Sequence, residues 1–227
     1  MNSSRGKTPA VSALEALARL REGNKRFVSD AFGVSAVTSQ SRRMEVAAGQ
    51  EPCAVILGCS DSRVPAEMVF DQGLGDLFVI RVAGNIVAPS QIGSVEFAVE
   101  RCKTRLVVVL GHTNCGAILA TIEEMGRSNE AQSKNLRSIV DRVKPSVAPL
   151  FATELRNQPE ALVRAAVRAN IRVSANQLRN GSEVLEQFIA KEGLLVVGAE
   201  YSLETGVVDF FDVPDLTKLP QGKAPVI

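Results

Sequence analysis

The chain has 227 residues, 45% of them apolar, which suffices for one packed domain with a sizeable core. Its formal net charge of +1 excludes the concentrated basic surface that nucleic acid or an anionic membrane would demand, and points to a small-molecule substrate. The 4 cysteines are too few for a disulfide framework, no signal-peptide pattern opens the chain, and no apolar run is long enough to span a bilayer, so a soluble cytoplasmic protein is expected.

In chain order, Ser12-Ala-Leu-Glu15 reads as a capping box, and Leu14, Leu17, Ala18 and Leu20 recur near helical spacing. They predict a helical arm over about 10–32, its helix ending at Gly23-Asn24. A second helix is predicted over 38–48, stopped by Gly49 and Pro52. Residues 53–57, 77–82 and 106–110 are short runs rich in Val, Ile and Leu without polar alternation, the pattern of parallel strands buried on both faces. Helical segments over 63–70 and 90–102 separate them. After His112 a helix over 115–125 precedes a long, largely helical region through Ala190. Residues 194–199 predict a fourth strand, and Leu203-Glu-Thr-Gly206 turns the chain into an antiparallel edge strand over 207–211. The expected fold is a single α/β domain over 1–227. Its central, mostly parallel β-sheet has four parallel strands plus an antiparallel edge strand, flanked by helices, with the N-terminal helical arm and an irregular tail over 214–227.

Ligands of open parallel sheets collect beyond the carboxyl ends of strands, where strand order reverses. Cys59 follows the first predicted strand and His112, the only histidine, follows the third. If those strands are neighbours, both side chains leave the same sheet edge, and Cys115 in the first turn of the next helix reaches the same point. Two cysteines and a histidine are the donor set of a catalytic zinc site with its fourth position open. Two thiolates cancel the charge of Zn²⁺, so a bound water is acidified less than at a three-histidine site and needs help nearby. Asp61 can accept a hydrogen bond from a zinc-bound hydroxide, and Arg63 can hold that carboxylate by a forked pair. Asp61 could also bind zinc itself as a fourth ligand, closing the site, if Arg63 released it. Cys53 and Cys102 lack such support and are read as packing residues.

Cys59-Ser-Asp-Ser-Arg-Val64 and Gly111-His-Thr-Asn-Cys-Gly116 resemble the paired signatures of the β-class carbonic anhydrases. Gly73–Asn85, Gly93–Val99 and Val197–Gly206 are similar to the intervening and closing segments of that family, so the resemblance runs from about Leu14 to Phe211. It implies reversible hydration of CO₂ to bicarbonate by zinc-bound hydroxide. One Zn²⁺ per subunit would be held by Cys59, His112 and Cys115, with the Asp61–Arg63 dyad governing the fourth position. On the substrate side it implies Gln50, donating a hydrogen bond across a subunit boundary, Phe78 as an apolar wall, the Ala83-Gly84 segment, and Gly116. The helical arm would pack on a neighbouring subunit, giving a homodimer at minimum and a tetramer as the next assembly. Plant-like members carry tyrosine where this chain has Phe97; Tyr201, the only tyrosine, is expected to pack rather than substitute. The chain has no tryptophan, which leaves the family's inhibitory bicarbonate pocket without its usual residue. Two alternatives remain open from sequence: a hydrolase of CS₂ or COS on the same fold, and a non-catalytic zinc-binding assembly protein.

Overall fold

The computed structural model describes residues 11–31, 39–126 and 133–213. The predicted tail over 214–227, residues 10 and 32 at the two ends of the arm, and residue 38 at the start of the second predicted helix lie outside them. Helix α1 (Ala13–Val28) begins as expected: the Ser12 N–H donates to the Glu15 carboxylate at 3.0 Å, and the Glu15 N–H donates to Ser12 Oγ at 3.3 Å.

The helix does not end at Gly23-Asn24. A Cβ on Gly23 would lie 1.8 Å from the Phe70 carbonyl oxygen, so glycine here permits a close backbone approach and does not stop the helix. Asn24 completes the docking. Its amide donates to the Val69 and Gly206 carbonyls at 3.1 and 2.9 Å, and its oxygen accepts from the Val208 N–H at 2.9 Å. Ala13, Ala16, Leu17 and Leu20 are buried against the arm's own sheet, while Val11, Leu14 and Val28 stay exposed.

Gly23→Ala separates the two readings of that residue. Helix propensity alone would stabilise the variant by about 1 kcal/mol. The clash with Phe70 should instead cost about 3 kcal/mol, lowering the thermal midpoint by roughly 6–12 °C in a calorimetric scan.

Helix α2 (Gln40–Val46) is shorter than predicted and buries none of its residues, so nothing extends it beyond its local cap at Ser39. The sheet comprises β1 (Ala54–Gly58), β2 (Leu77–Arg81), β3 (Leu106–His112), β4 (Leu195–Tyr201) and β5 (Val208–Phe211), in the order β2-β1-β3-β4-β5. The first four are parallel and β5 is antiparallel to β4, as the apolar runs predicted. Every residue of β1 and β3 is buried, because cores lie on both faces: Val55, Leu57, Val107 and Val109 belong to one, Ile56, Val108 and Leu110 to the other.

Between the strands run α3 (Ala66–Val69), a 3₁₀ turn at Ala83–Asn85, α4 (Pro89–Arg101) and α5 (Gly116–Met125). Helix α3 is a single turn, not the longer segment predicted, since Arg63 and Val64 belong to the turn after β1 and the extended Pro65 is the N-cap. The long helical region resolves into α6 (Lys134–Phe151), a 3₁₀ turn at Glu154–Asn157, α7 (Pro159–Asn180) and α8 (Glu183–Lys191). No helix among the described residues is long and apolar enough to cross a membrane.

Candidate metal centre

Strand order reverses at β1, which pairs with β2 on one side and β3 on the other. Cys59 follows β1 immediately and His112 is the last residue of β3, so the crevice of the parallel sheet receives both. The chain then turns through Asn114, whose φ of 55° is left-handed, and places Cys115 at the N-cap of α5. The Cys59 and Cys115 sulfurs and a His112 ring nitrogen all lie within 4.8 Å of one another, and all three residues are buried.

This geometry fits a tetrahedral zinc. Two thiolates at ordinary zinc–sulfur distances would sit about 3.8 Å apart, and the Sγ···Sγ separation is 4.0 Å. His112 Nδ1 lies 2.9 Å from the Thr113 carbonyl oxygen, which can only accept, so the proton is on Nδ1 and Nε2 carries the lone pair. That Nε2 is buried without a hydrogen-bond partner. Leaving such an atom unpaired costs about 1–3 kcal/mol, and a metal bond removes the cost.

Cys59 is pulled well below the ordinary thiol range, chiefly by its hydrogen-bonding contact with Cys115 and further by the Asp61 and Gly84 N–H groups, against the effect of burial. Cys115 is pushed up by the same hydrogen bond and by burial, against the lowering influence of the Ile118 and Ala117 N–H groups at the start of α5. A divalent cation between the two sulfurs would bring both to the thiolate form.

Asp61 stands beside this cluster, its Oδ2 3.8 Å from His112 Nε2. Its carboxylate is fully engaged by Arg63: Nη2 donates to Oδ2 at 2.7 Å, while Nε and the backbone N–H donate to Oδ1 at 2.9 and 3.0 Å. These bonds hold the Asp61 carboxyl far below the usual carboxylate range. Arg81, to which the sequence motifs assigned no role, fastens the same loop from the end of β2. Its Nε donates to the Cys59 carbonyl at 3.0 Å and its Nη2 to the Asp61 carbonyl at 2.5 Å. A charged residue closing a buried strand was the available signal.

Of the substrate-side residues, Ala83 and Gly84 form the turn after β2, and the Gly84 N–H reaches Cys59 Sγ at 3.4 Å. Gly116 opens α5 with nothing within 4 Å of where a Cβ would stand, leaving room beside Cys115. Gln50 is exposed on the loop entering β1, the opposite end of that strand from Cys59. Phe78 pairs with Val55 near the same end, three residues before Arg81, which is about 10 Å along the strand. Its ring lies 6.1 Å from that of Phe97, which is half-exposed. One chain therefore gathers Cys59, His112, Cys115, Asp61, Arg63, Ala83, Gly84 and Gly116, but not Gln50 or Phe78. Tyr201 is buried against Phe27, with ring centroids 6.3 Å apart, and packs as expected. Cys53 is buried and Cys102 half-buried, both as free thiols.

Comparison with known proteins bears on this arrangement. The carbonic anhydrase family profile matches residues 54–208. Carbonic anhydrase 2 of Mycobacterium tuberculosis is 38% identical over 200 residues, covering 87% of this chain and 92% of that protein. The carbonic anhydrase of Mycolicibacterium smegmatis is 39% identical over 207 residues, covering 88% and 94%. Among solved structures, a tetrameric β-carbonic anhydrase of Sordaria macrospora superposes with a TM-score of 0.66 at 28% identity, covering 74% of this chain and 85% of that one. A β-carbonic anhydrase of Aspergillus fumigatus gives 0.67 at 25% identity, covering 90% and 92%.

Proposed function

This chain belongs to the β-class carbonic anhydrases, zinc enzymes whose reaction is the reversible hydration of carbon dioxide, and from that premise we propose how its own residues divide the work. Cys59, His112 and Cys115 hold the zinc; the convergence of two sulfurs and an unpartnered imidazole nitrogen within 4.8 Å carries this reading. A zinc held there would supply Lewis acidity, lowering the pKa of a water that attacks CO₂. Asp61 accepts a hydrogen bond from that nucleophile and fixes its orientation. Arg63 keeps Asp61 ionised by engaging both of its oxygens, and Arg81 fixes the loop that carries it. The Ala83-Gly84 turn and Gly116 border the space in which CO₂ is attacked. Measuring bound zinc and hydration activity on the same preparation tests the reading. A zinc-replete protein inactive at alkaline pH would sink it in favour of a non-catalytic zinc protein.

Gln50 and Phe78, at the far end of β1 and β2 from their own metal centre, complete the site of a second copy. The active unit is then a dimer at minimum, and the tetrameric relative from Sordaria supports further assembly. Both ligand thiols must stay reduced to bind zinc, which suits a cytoplasmic location.

Each hydration event releases a proton, and the chain contains no histidine besides His112 to carry it away. Turnover at saturating CO₂ should therefore rise several-fold as buffer is raised from millimolar to tens of millimolar in stopped-flow assays. A rate indifferent to buffer would mean that the chain carries its own proton relay.

A further inference from the structure

We propose that Asn170 and Ser174 of α7 are positioning residues for the metal centre, holding the Gly84-Asn85 turn so that the Gly84 N–H stays on the Cys59 sulfur. The inference rests on the zinc reading above. Gly84 has φ 69° and ψ 20°, and Asn85 follows with φ 43°. Two successive left-handed residues, one of them not glycine, make a turn that needs outside support.

Helix α7 supplies it. Asn170 Nδ2 donates to the Gly84 carbonyl at 2.7 Å, and Ser174 Oγ donates to the Asn85 carbonyl at 2.9 Å. The two side chains are four residues apart, hence on one helix face, and each residue is only 2% exposed. Ser146 of α6 donates to Asn170 Oδ1 at 3.3 Å, which fixes the amide end that faces Gly84. With both carbonyls of the turn gripped from α7, the Gly84 N–H is left aimed the other way, at Cys59 Sγ.

An N–H bonded to a thiolate withdraws electron density that the sulfur would otherwise give to the metal. At a centre whose two thiolates already cancel the zinc charge, that withdrawal preserves Lewis acidity. Loosening the turn would make Cys59 a stronger donor and the metal a weaker acid. Neither sequence signature contains α7, so its part is exercised only through the turn.

The test uses the full-length protein with Co²⁺ in place of zinc, reading the thiolate-to-cobalt charge-transfer absorption, together with kcat and KM of the zinc enzymes. Ser174→Ala removes a single hydroxyl, and Asn170→Leu keeps the volume while deleting the donor. Both should move the charge-transfer band to longer wavelength and lower kcat by roughly tenfold with KM little changed. Leu178→Ala, which truncates a fully buried residue one turn beyond Ser174, should lower the thermal midpoint without moving the band. Ser174→Ala alone decides the matter if Asn170→Leu does not fold. A band unmoved in the foldable variants, or moved equally by Leu178→Ala, would overturn the positioning role. A wild-type cobalt protein with no thiolate band would instead overturn the metal assignment beneath it.

Discussion

His112→Ala is expected to reduce carbon dioxide hydration by at least about three orders of magnitude, to the background of buffer, with zinc no longer retained at one per chain. His112 is fully buried, its Nδ1 spent on the Thr113 carbonyl and its Nε2 directed among the two sulfurs. Alanine leaves two thiols 4.0 Å apart, and the nearby Asp61 carboxylate stays engaged by Arg63. Two thiolates alone would bind zinc far more weakly, and free imidazole can restore only part of the missing ligand. Because metal binding is coupled to folding, zinc in thousand-fold excess over its dissociation constant should stabilise the wild type by about 4 kcal/mol, and the variant by much less. Metal analysis after dialysis and thermal scans with and without zinc would show both effects. Full activity in His112→Ala would remove the metal centre from its assigned place.

Asp61→Asn should behave differently: zinc stays, while hydration falls by about 10²–10³-fold. The substitution is nearly isosteric and leaves Cys59, His112 and Cys115 untouched. What it removes is the negative charge that two Arg63 nitrogens and a backbone N–H now keep ionised. An amide can neither hold that charge nor present two accepting oxygens, so the nucleophile loses its orienting partner and Arg63 loses half its fork. Retained zinc with most activity gone identifies Asp61 as a participant in the reaction. Zinc loss would identify it as structural. Arg63→Ala complements the experiment by releasing Asp61 toward the metal, and a cobalt spectrum showing an added carboxylate ligand would demonstrate the closed form.

Most of the sheet was legible in the chain. Residues 53–57 and 106–110 read as doubly buried strands because Val, Ile and Leu follow one another there without alternation, and β1 and β3 are buried throughout. The candidate metal cluster was legible for a related reason: strand ends place residues, and only one histidine is available to stand at one. Gly23-Asn24 was misread, since a glycine that admits a neighbouring carbonyl has the same letter as one that ends a helix. The arm's own-sheet contacts were not legible, because an amphipathic stripe states that it will be buried but not against what.

The parallel sheet, the three candidate ligands and the Asp61–Arg63 pair could be read from the residues alone, all consequences of short-range spacing and of side-chain chemistry that does not depend on context. Only the tertiary structure decided that Arg81 clamps the ligand loop, that Asn170 and Ser174 grip the turn touching Cys59, and that Gln50 and Phe78 lie at the far end of their own strands. Those are directional contacts between segments distant along the chain. Their geometry exists only once the sheet and α7 are packed, and no local pattern of residues encodes it.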